Sequence, residues 1–177
     1  AQIQRFECIN SSFIFDEKSE FNPRAFVVFP STFNIQNCTF IRCGNTNIKI
    51  GGAILYDGTS SFESISIESC YFKETHANNG GTFRLSFNTP SIPSLTNNTI
   101  IGIDTSYSMA LIYKSSDLTE TIYFYQCNFI SNTHRLGDVG GSGIWVSNFR
   151  DSGTVYGVHI IFEKCLFSNN STPNNGG

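Results

Sequence analysis

Four of the six cysteines recur at one position of a repeated phrase, and thiols at such a spacing could form disulfides. The phrase is a polar residue, the cysteine position, one further residue and an apolar residue that is most often phenylalanine. In chain order, the cysteine position is filled by Ser11, Cys38, Cys70, Asn98, Cys127 and Cys165. The other two cysteines, Cys8 and Cys43, lie outside this position.

If successive copies of the phrase are neighbouring strands, their cysteine positions lie ~4.8 Å apart. That spacing is within the Cα separation of about 4.4–6.8 Å that a disulfide spans. Cys38 with Cys70, and Cys127 with Cys165, are therefore candidate bridges. The alternative is a ladder of free, buried thiols that pack as small hydrophobes. Zinc binding is not expected, because the chain has no CxxC motif and the intervals are a whole repeat long.

Five asparagines begin the N-x-S/T triplet that accepts N-linked glycans, and they are Asn10, Asn37, Asn97, Asn169 and Asn170. The first three fall immediately before the cysteine position, where a turn would keep their amides accessible. The alternative is that asparagine is present there only because it suits a turn. Sequons together with candidate disulfides favour an extracellular or cell-surface setting. We expect at least one of the five to be glycosylated.

Few acidic and histidine side chains are placed where they could act in catalysis or bind a metal ion. His76, Asp104 and His134 fall on three successive copies and could come within roughly 10 Å of one another on neighbouring strands. Such an edge could hold a metal ion, but we prefer to interpret the three as unrelated loop residues. No nucleophile motif such as GxSxG and no convergent pair of carboxylates is indicated. We predict no enzyme activity, no metal and no cofactor.

A repeated unit must position these residues, because the phrase returns six times at intervals of about thirty residues. Upstream of it, apolar and polar residues alternate, as in Phe33-x-Ile35 and Ile65-x-Ile67, which indicates a strand with one buried face. The apolar residue of the phrase recurs as Phe13, Phe40, Phe72, Ile100, Phe129 and Phe167. These residues are predicted to form an inward ladder.

A third short strand follows in each period, often after paired glycines such as Gly51-Gly52. Three strands per period, each stacked on its equivalent one period later, predict an all-β fold. The expected architecture is a right-handed parallel β-helix of about five to six coils of three short strands. We interpret residues 1–177 as a single β-helix segment of a longer solenoid, because the chain stops where earlier copies begin their next strand.

Two motifs resemble the repeats of the chlamydial polymorphic outer-membrane proteins. The segment from Gly51 to Ile54 is similar to their GGAI motif, and those beginning at Phe129 and Phe167 are similar to their FxxN motif. The resemblance spans nearly the whole chain, although other copies of the repeat depart from both motifs. It implies a surface β-helix with an adhesin-like role, and no catalytic residue is carried over from the family.

The composition excludes several classes of function. The net charge of −3 and the pI of about 5.5 give no basic footprint for nucleic acid. Charged residues make up 14%, against ~25% in a typical globular protein. There is no apolar run of the ~18 residues that a membrane-spanning helix requires.

The third strand offers a candidate interaction surface. If Ile54 and its equivalents point inward, the outward positions are Val27, Leu55, Arg84, Ile112 and Trp145. Contiguous exposed apolar side chains usually mark a contact with a partner, here other copies of the chain, other surface proteins or, through Trp145, a glycan. The alternatives are that this row is covered by a loop or another domain, or that the register is off by one residue, which exchanges the faces.

Together these features predict an extracellular or cell-surface structural and adhesive glycoprotein, a rigid rod contributing to a surface filament or to adhesion. The alternative is a carbohydrate-binding or polysaccharide-degrading β-helix protein.

Overall fold

The structure is a computed structural model, and it describes residues 5–15, 23–28, 32–45, 47–48, 51–57, 64–78, 81–87, 94–105, 110–114, 121–134, 144–148 and 159–171. The regular elements in these ranges are all β-strands, which confirms the predicted all-β class for the described residues. Every strand pairing among them is parallel, and each strand pairs with its equivalent in the next repeat.

Nineteen strands are found in the described residues, and all but two of them lie in three sheets. Sheet A contains, in spatial order, β1 (Arg5–Ile9), β4 (Thr32–Gln36), β7 (Ser64–Glu68), β10 (Ser94–Thr96), β14 (Thr121–Tyr125) and β18 (His159–Glu163). Sheet B contains β2 (Ser12–Ile14), β5 (Thr39–Ile41), β8 (Tyr71–Lys73), β11 (Thr99–Ile101), β15 (Asn128–Ile130) and β19 (Leu166–Ser168). Sheet C contains β3 (Phe26–Val28), β6 (Ile54–Asp57), β9 (Phe83–Phe87), β13 (Ala110–Lys114) and β17 (Ile144–Asn148). A separate pair joins β12 (Asp104–Thr105) to β16 (Thr133–His134).

The alternation predicted for the first strand of each repeat is confirmed in sheet A. Phe33 pairs with Ile65, and Ile35 pairs with Ile67; all four are buried, whereas the residues between them are partly exposed. Cys8 lies in the same inward column, opposite Ile35.

The predicted ladder of the phrase is confirmed in sheet B. Its strands pair so that Phe13, Phe40, Phe72, Ile100, Phe129 and Phe167 face one another in successive repeats. The rings of Phe40 and Phe72 are stacked with centroids 4.8 Å apart, and those of Phe129 and Phe167 are also 4.8 Å apart. Because this distance is close to the ~4.8 Å spacing of paired strands, each ring can lie flat on its neighbour without moving the backbone.

The inner faces of the three sheets meet one another in a single apolar core. Phe33 of sheet A contacts Tyr56 of sheet C at a centroid distance of 5.1 Å. Phe72 of sheet B contacts Phe83 of sheet C edge to face at 6.0 Å. These aromatic contacts add to the area burial that drives folding, and they explain why aromatic residues fill so many inward positions.

Each bend between sheet A and sheet B contains one residue in the left-handed conformation. The φ angles are between 52° and 55° at Asn10, Asn37, Ser69, Asn97, Gln126 and Lys164. A second set, Arg42, Glu74, Gly102, Ser131 and Asn169, marks the end of sheet B in the same way. A single left-handed residue turns the chain sharply, so two strands can join different sheets without a loop.

The paired glycines before sheet C are explained by close packing of the backbone. A Cβ atom on Gly52 would lie only 1.9 Å from the carbonyl oxygen of Gly81 in the next repeat. No side chain fits at that distance, so the backbones of successive repeats can approach there only if Gly52 is a glycine.

We expect Gln126→Gly to increase the free energy of unfolding by up to about 1 kcal/mol, because glycine adopts the left-handed conformation without the steric cost of a Cβ atom. Gln126 is exposed, so the change removes no buried contact. The measurement is equilibrium unfolding in urea. Asn128→Gly, two residues later in β15, is the matched control and should destabilise the protein, since glycine weakens a strand. Equal destabilisation by both changes would contradict this account of the bend.

Candidate functional site

The cysteine positions of the phrase lie in register at the corner between sheet A and sheet B. The backbone N–H of Tyr71 donates to the carbonyl of Cys38 at 2.9 Å, and that of Thr99 donates to the carbonyl of Cys70 at 2.9 Å. The same ladder continues at Asn128, whose N–H donates to the Asn98 carbonyl. The repeat spacing therefore places these residues one above another, as predicted.

At this corner, the side chain reaches back to a backbone carbonyl of the preceding repeat. The Sγ of Cys70 donates to Ile35 O at 3.8 Å, and that of Cys127 donates to Leu95 O at 3.2 Å. Cys38 and Cys165 make equivalent contacts with Cys8 O and Phe124 O, both at 3.4 Å. The residue at this position acts as a buried hydrogen-bond donor, which we call the corner donor.

Asn98 shows the same role with a stronger donor. Its Nδ2 donates to Ile67 O at 2.7 Å, and its Oδ1 accepts from the backbone N–H of Cys70 at 3.0 Å. Because Asn98 is only 2% exposed, both backbone groups would otherwise be buried without these partners. Asparagine and cysteine can therefore replace each other at this corner.

The candidate bridges Cys38–Cys70 and Cys127–Cys165 are not formed in this structure, where all six cysteines are free thiols. The thiols point toward sheet A of the preceding repeat. Burial raises the pKa of Cys70 to about 12 and that of Cys127 to about 11, so both remain protonated at neutral pH. A protonated, buried thiol is a poor nucleophile, and this arrangement matches the alternative of a ladder of packed thiols.

The corner at the end of sheet B uses asparagine from the FxxN-like segments. Asn132 donates through Nδ2 to Ile100 O at 3.1 Å, and its Oδ1 accepts from the Ile103 N–H at 3.0 Å. Asn170 donates to Phe129 O at 2.8 Å and accepts from the Asn132 N–H at 3.1 Å. The two asparagines form a ladder that follows the axis of the stack.

The predicted glycan acceptors occupy different environments. Asn10, Asn37 and Asn97 are exposed residues of the left-handed bends, and Asn169 is exposed at the other corner. The amide nitrogen of Asn170 is instead hydrogen-bonded to the backbone of the preceding repeat. Glycosylation of at least one of the five remains a prediction, and Asn170 is the least accessible of them to a glycosyltransferase.

The predicted outward row of sheet C needs one correction. Val27 pairs with Leu55, Leu55 with Arg84, and Arg84 with Leu111 rather than with Ile112. Ile112 is instead opposite the buried Leu85, in the inward column. Ala110 pairs with Phe83, where Leu111 was expected, and a shift of one residue in the register exchanges the two faces of a strand.

The corrected row consists of Val27, Leu55, Arg84, Leu111 and Trp145. Val27 is 48% exposed, whereas Leu55 and Arg84 are partly buried. The side chains of Leu111, Ile112 and Trp145 lie outside the described part of the structure. Contact of this row with a partner remains a prediction.

The histidine and aspartate positions do not share one column. Asp104 pairs with Thr133, and His134 pairs with the neighbouring Thr105. His134 is therefore one residue out of step with Asp104, and successive residues of a strand point to opposite faces. Among the residues that the structure describes, no group of three or more His, Cys, Asp or Glu side chains is arranged to hold a metal ion.

A polar and aromatic cluster on the outer face of sheet A is not marked by any motif of the sequence. The rings of Tyr123 and Tyr125 are nearly parallel, with centroids 6.2 Å apart. The Tyr123 hydroxyl donates to a carboxylate oxygen of Glu163, and Lys164 Nζ donates to the Tyr125 hydroxyl at 2.9 Å. The hydrogen bond to Glu163 raises the pKa of Tyr123 to about 12, so this hydroxyl stays protonated at neutral pH. We call these four residues the tyrosine cluster.

The only sequence signal for the tyrosine cluster is two tyrosines at outward strand positions where other repeats have smaller residues. Tyr123 is opposite Ser94, and Tyr125 is opposite Thr96. Glu163 pairs with Tyr125 across a connection of nearly forty residues, so its presence beside the rings depends on the register of β18.

In the described ranges, no helix is long and apolar enough to cross a membrane. Comparison with known proteins finds no matching family model, no similar curated protein and no similar solved structure.

We expect Asn98→Ala to lower the free energy of unfolding by at least about 2 kcal/mol, because Ile67 O and the Cys70 N–H both lose their buried partner. Asn98→Cys is the matched control, since cysteine fills the equivalent corners and can still donate to the carbonyl. Chemical denaturation of the reduced proteins compares the two variants. Equal loss in both would contradict the account of this corner, because it would show that a thiol cannot replace the amide as the corner donor.

Proposed function

We propose that this chain is a rigid, right-handed parallel β-helix belonging to an extracellular or cell-surface glycoprotein with a structural and adhesive role. Support for the β-helix comes from the order in which the chain visits sheets A, B and C, returning to sheet A beside the strand that it left. A right-handed path is the strong default when consecutive parallel strands of one sheet are joined by a crossover.

The observation that carries the proposal is the row of exposed asparagines at the left-handed bends. Asn10 and Asn37 occupy equivalent bends of adjacent repeats, and each begins an N-x-S/T triplet. The backbone N–H of Asn10 donates to Gln36 O and that of Asn37 donates to Glu68 O, both at 3.0 Å, so the backbone of each bend is fixed while the side chain is exposed. Such a bend is a surface site at which a glycan can be added without disturbing the core.

The low charge and the regular stack suit a rod better than a catalytic protein. Parallel pairing through six successive strands in sheets A and B gives a continuous hydrogen-bonded ladder along the axis. The corrected outward row on sheet C is the surface that we assign to other copies of the chain or to other surface proteins. The GGAI-like and FxxN-like segments of the chain resemble those of a surface-protein family, which supports a structural and adhesive role.

We expect protein secreted from a eukaryotic host to lose mass when it is treated with an endoglycosidase, and the loss to be smaller in Asn37→Gln. Glutamine is a conservative choice because Gln126 occupies the equivalent bend of a later repeat. Asn170→Gln is the matched control and should leave the mass of attached sugar unchanged, since the Asn170 amide is bonded within the fold. Intact-mass spectrometry makes the measurement. Absence of any sugar on secreted, folded protein would overturn the glycoprotein assignment.

The tyrosine cluster favours a second candidate function, the binding of carbohydrate. Aromatic rings pack against the C–H faces of sugars, and the Glu163 carboxylate beside them could accept hydrogen bonds from sugar hydroxyls. Tyrosine provides an apolar surface with a polar end, and it is enriched at binding surfaces for that reason. The cluster lies on sheet A, so it is separate from the row on sheet C.

We expect the double variant Tyr123→Ser, Tyr125→Thr to bind neutral polysaccharides at least about tenfold more weakly, a change of about 1.4 kcal/mol. Serine and threonine already occupy the same columns as Ser94 and Thr96, so the fold should accept both. Affinity electrophoresis through gels containing glucan, galactan or mannan makes the measurement. Tyr71→Thr on sheet B is the control, since Thr39 and Thr99 flank Tyr71 in its column. Unretarded wild-type protein, or equal retardation of both variants, would exclude this function.

A further inference from the structure

The corner of the second repeat, between β4 and β5, differs from the later ones, because its corner donor faces a second cysteine. The Sγ of Cys38 lies 3.4 Å from Cys8 O and 3.7 Å from Cys8 Sγ. At the equivalent corners, Cys70 faces Ile35, Cys127 faces Leu95 and Cys165 faces Phe124. At this corner, the Cys38 thiol reaches the Cys8 carbonyl and therefore also lies against the Cys8 thiol of β1.

This pairing follows from the register and not from sequence spacing alone. Cys8 is opposite Ile35 in sheet A, and Cys38 comes three residues after Ile35, beyond the left-handed Asn37. The bend turns the Cys38 side chain back toward the first repeat. The same bend turns the Cys38 thiol away from Cys70. The Cys70 thiol donates instead to Ile35 O and Glu68 O.

We propose that Cys8 and Cys38 form a disulfide that joins the first repeat to the second when the protein meets a low-molecular-weight disulfide such as glutathione disulfide. In the reduced state the two sulfurs are in van der Waals contact, and the bond requires them to approach to about 2.05 Å. The strands β1 and β4 pair directly, so a small change in their relative position brings the two sulfurs together.

The difference in burial sets the order of the reaction. Cys8 is partly exposed, whereas Cys38 is 1% exposed. The Cys8 thiol loses its proton and its thiolate attacks one sulfur of glutathione disulfide, so the disulfide bond breaks and one glutathione thiolate leaves and takes up a proton. The Cys38 thiol then loses its proton and attacks the Cys8 sulfur, which releases the second glutathione. The two protein thiols give up two electrons in total, and glutathione disulfide is reduced to two thiols.

The second step should be the slower one at neutral pH. Burial raises the pKa of Cys38, so little of its thiolate is present near neutrality. Formation of the bond should therefore accelerate as the pH rises toward the pKa of Cys38. The mixed disulfide of Cys8 with glutathione should be the species that precedes it.

The bond would constrain a loop of about thirty residues in the unfolded chain, which raises the stability of the folded form. It would join β1 covalently to the corner that follows β4. This inference does not rest on the proposed function, because the reaction can be followed in purified reduced protein without glycans or a partner.

The experiment incubates reduced, folded protein with glutathione disulfide, blocks the remaining thiols with iodoacetamide and maps tryptic peptides by mass spectrometry. Cleavage after arginine and lysine places Cys8 in residues 6–18 and Cys38 in residues 25–42, with no second cysteine in either peptide. The expected result is a cross-link between these two peptides, with Cys70 and Cys127 carrying the alkyl label only after denaturation. The thermal midpoint of the oxidised protein should exceed that of the reduced protein.

The controls use residues that the fold already accepts. Cys38→Ser should fold, because Ser11 fills the same position of the first phrase, and both it and Cys8→Ser should show no cross-link and no change of thermal midpoint on oxidation. Cys70→Ser should leave the cross-link intact. A dominant Cys38–Cys70 or Cys127–Cys165 peptide, a reaction that stops at the glutathione adduct of Cys8, or no reaction in protein shown to be folded would each overturn the proposal.

Discussion

The corner between sheets A and B is the constraint on which the rest of the stack depends. The four middle corners each consist of one left-handed residue and one buried corner donor, and both are bonded to other repeats; their donors are Cys38, Cys70, Asn98 and Cys127. The N–H of Asn37 donates forward to Glu68 O, while the side chain of Cys38 donates back to Cys8 O. Since buried backbone groups must find partners, a chain that turns so sharply is stable only when a repeat on either side supplies them. The corner is thus a property of the stack rather than of one repeat.

The aromatic core follows from this constraint. Because each corner between sheets A and B has the same length, the inward residue of sheet B occupies the same position in every repeat. Rings such as those of Phe40 and Phe72 can therefore stack, with an interplanar angle of 6°. Ile100 interrupts the ladder and is as buried as its neighbours, so the position requires an apolar side chain and tolerates a change of shape. Sheet C then packs against both other sheets through residues such as Tyr56 and Phe83.

The short, constant spacings made much of this architecture predictable from the sequence. The alternation of Phe33 and Ile35, the ladder through Phe72 and the line of corner donors all depend on residues a few positions apart. The register of sheet C could not be read in the same way, because connections of variable length precede it, and Ile112 was placed on the wrong face. The direction of the Cys38 thiol and the meeting of Tyr123 with Glu163 depend on three-dimensional geometry, which spacing does not encode.

The fixed corner also determines where the chain is free to change its length. Between the last residue of β4 and the first of β5 lie only Asn37 and Cys38, and the same two-residue step separates β7 from β8. A residue inserted there would carry the whole of the following sheet B strand onto its opposite face. The step from sheet B to sheet C has no such uniform length, since β8 ends at Lys73 and β9 begins at Phe83, whereas β15 ends at Ile130 and β17 begins at Ile144. Insertions and deletions are therefore tolerated along one side of the stack, while the opposite side keeps a fixed length from repeat to repeat.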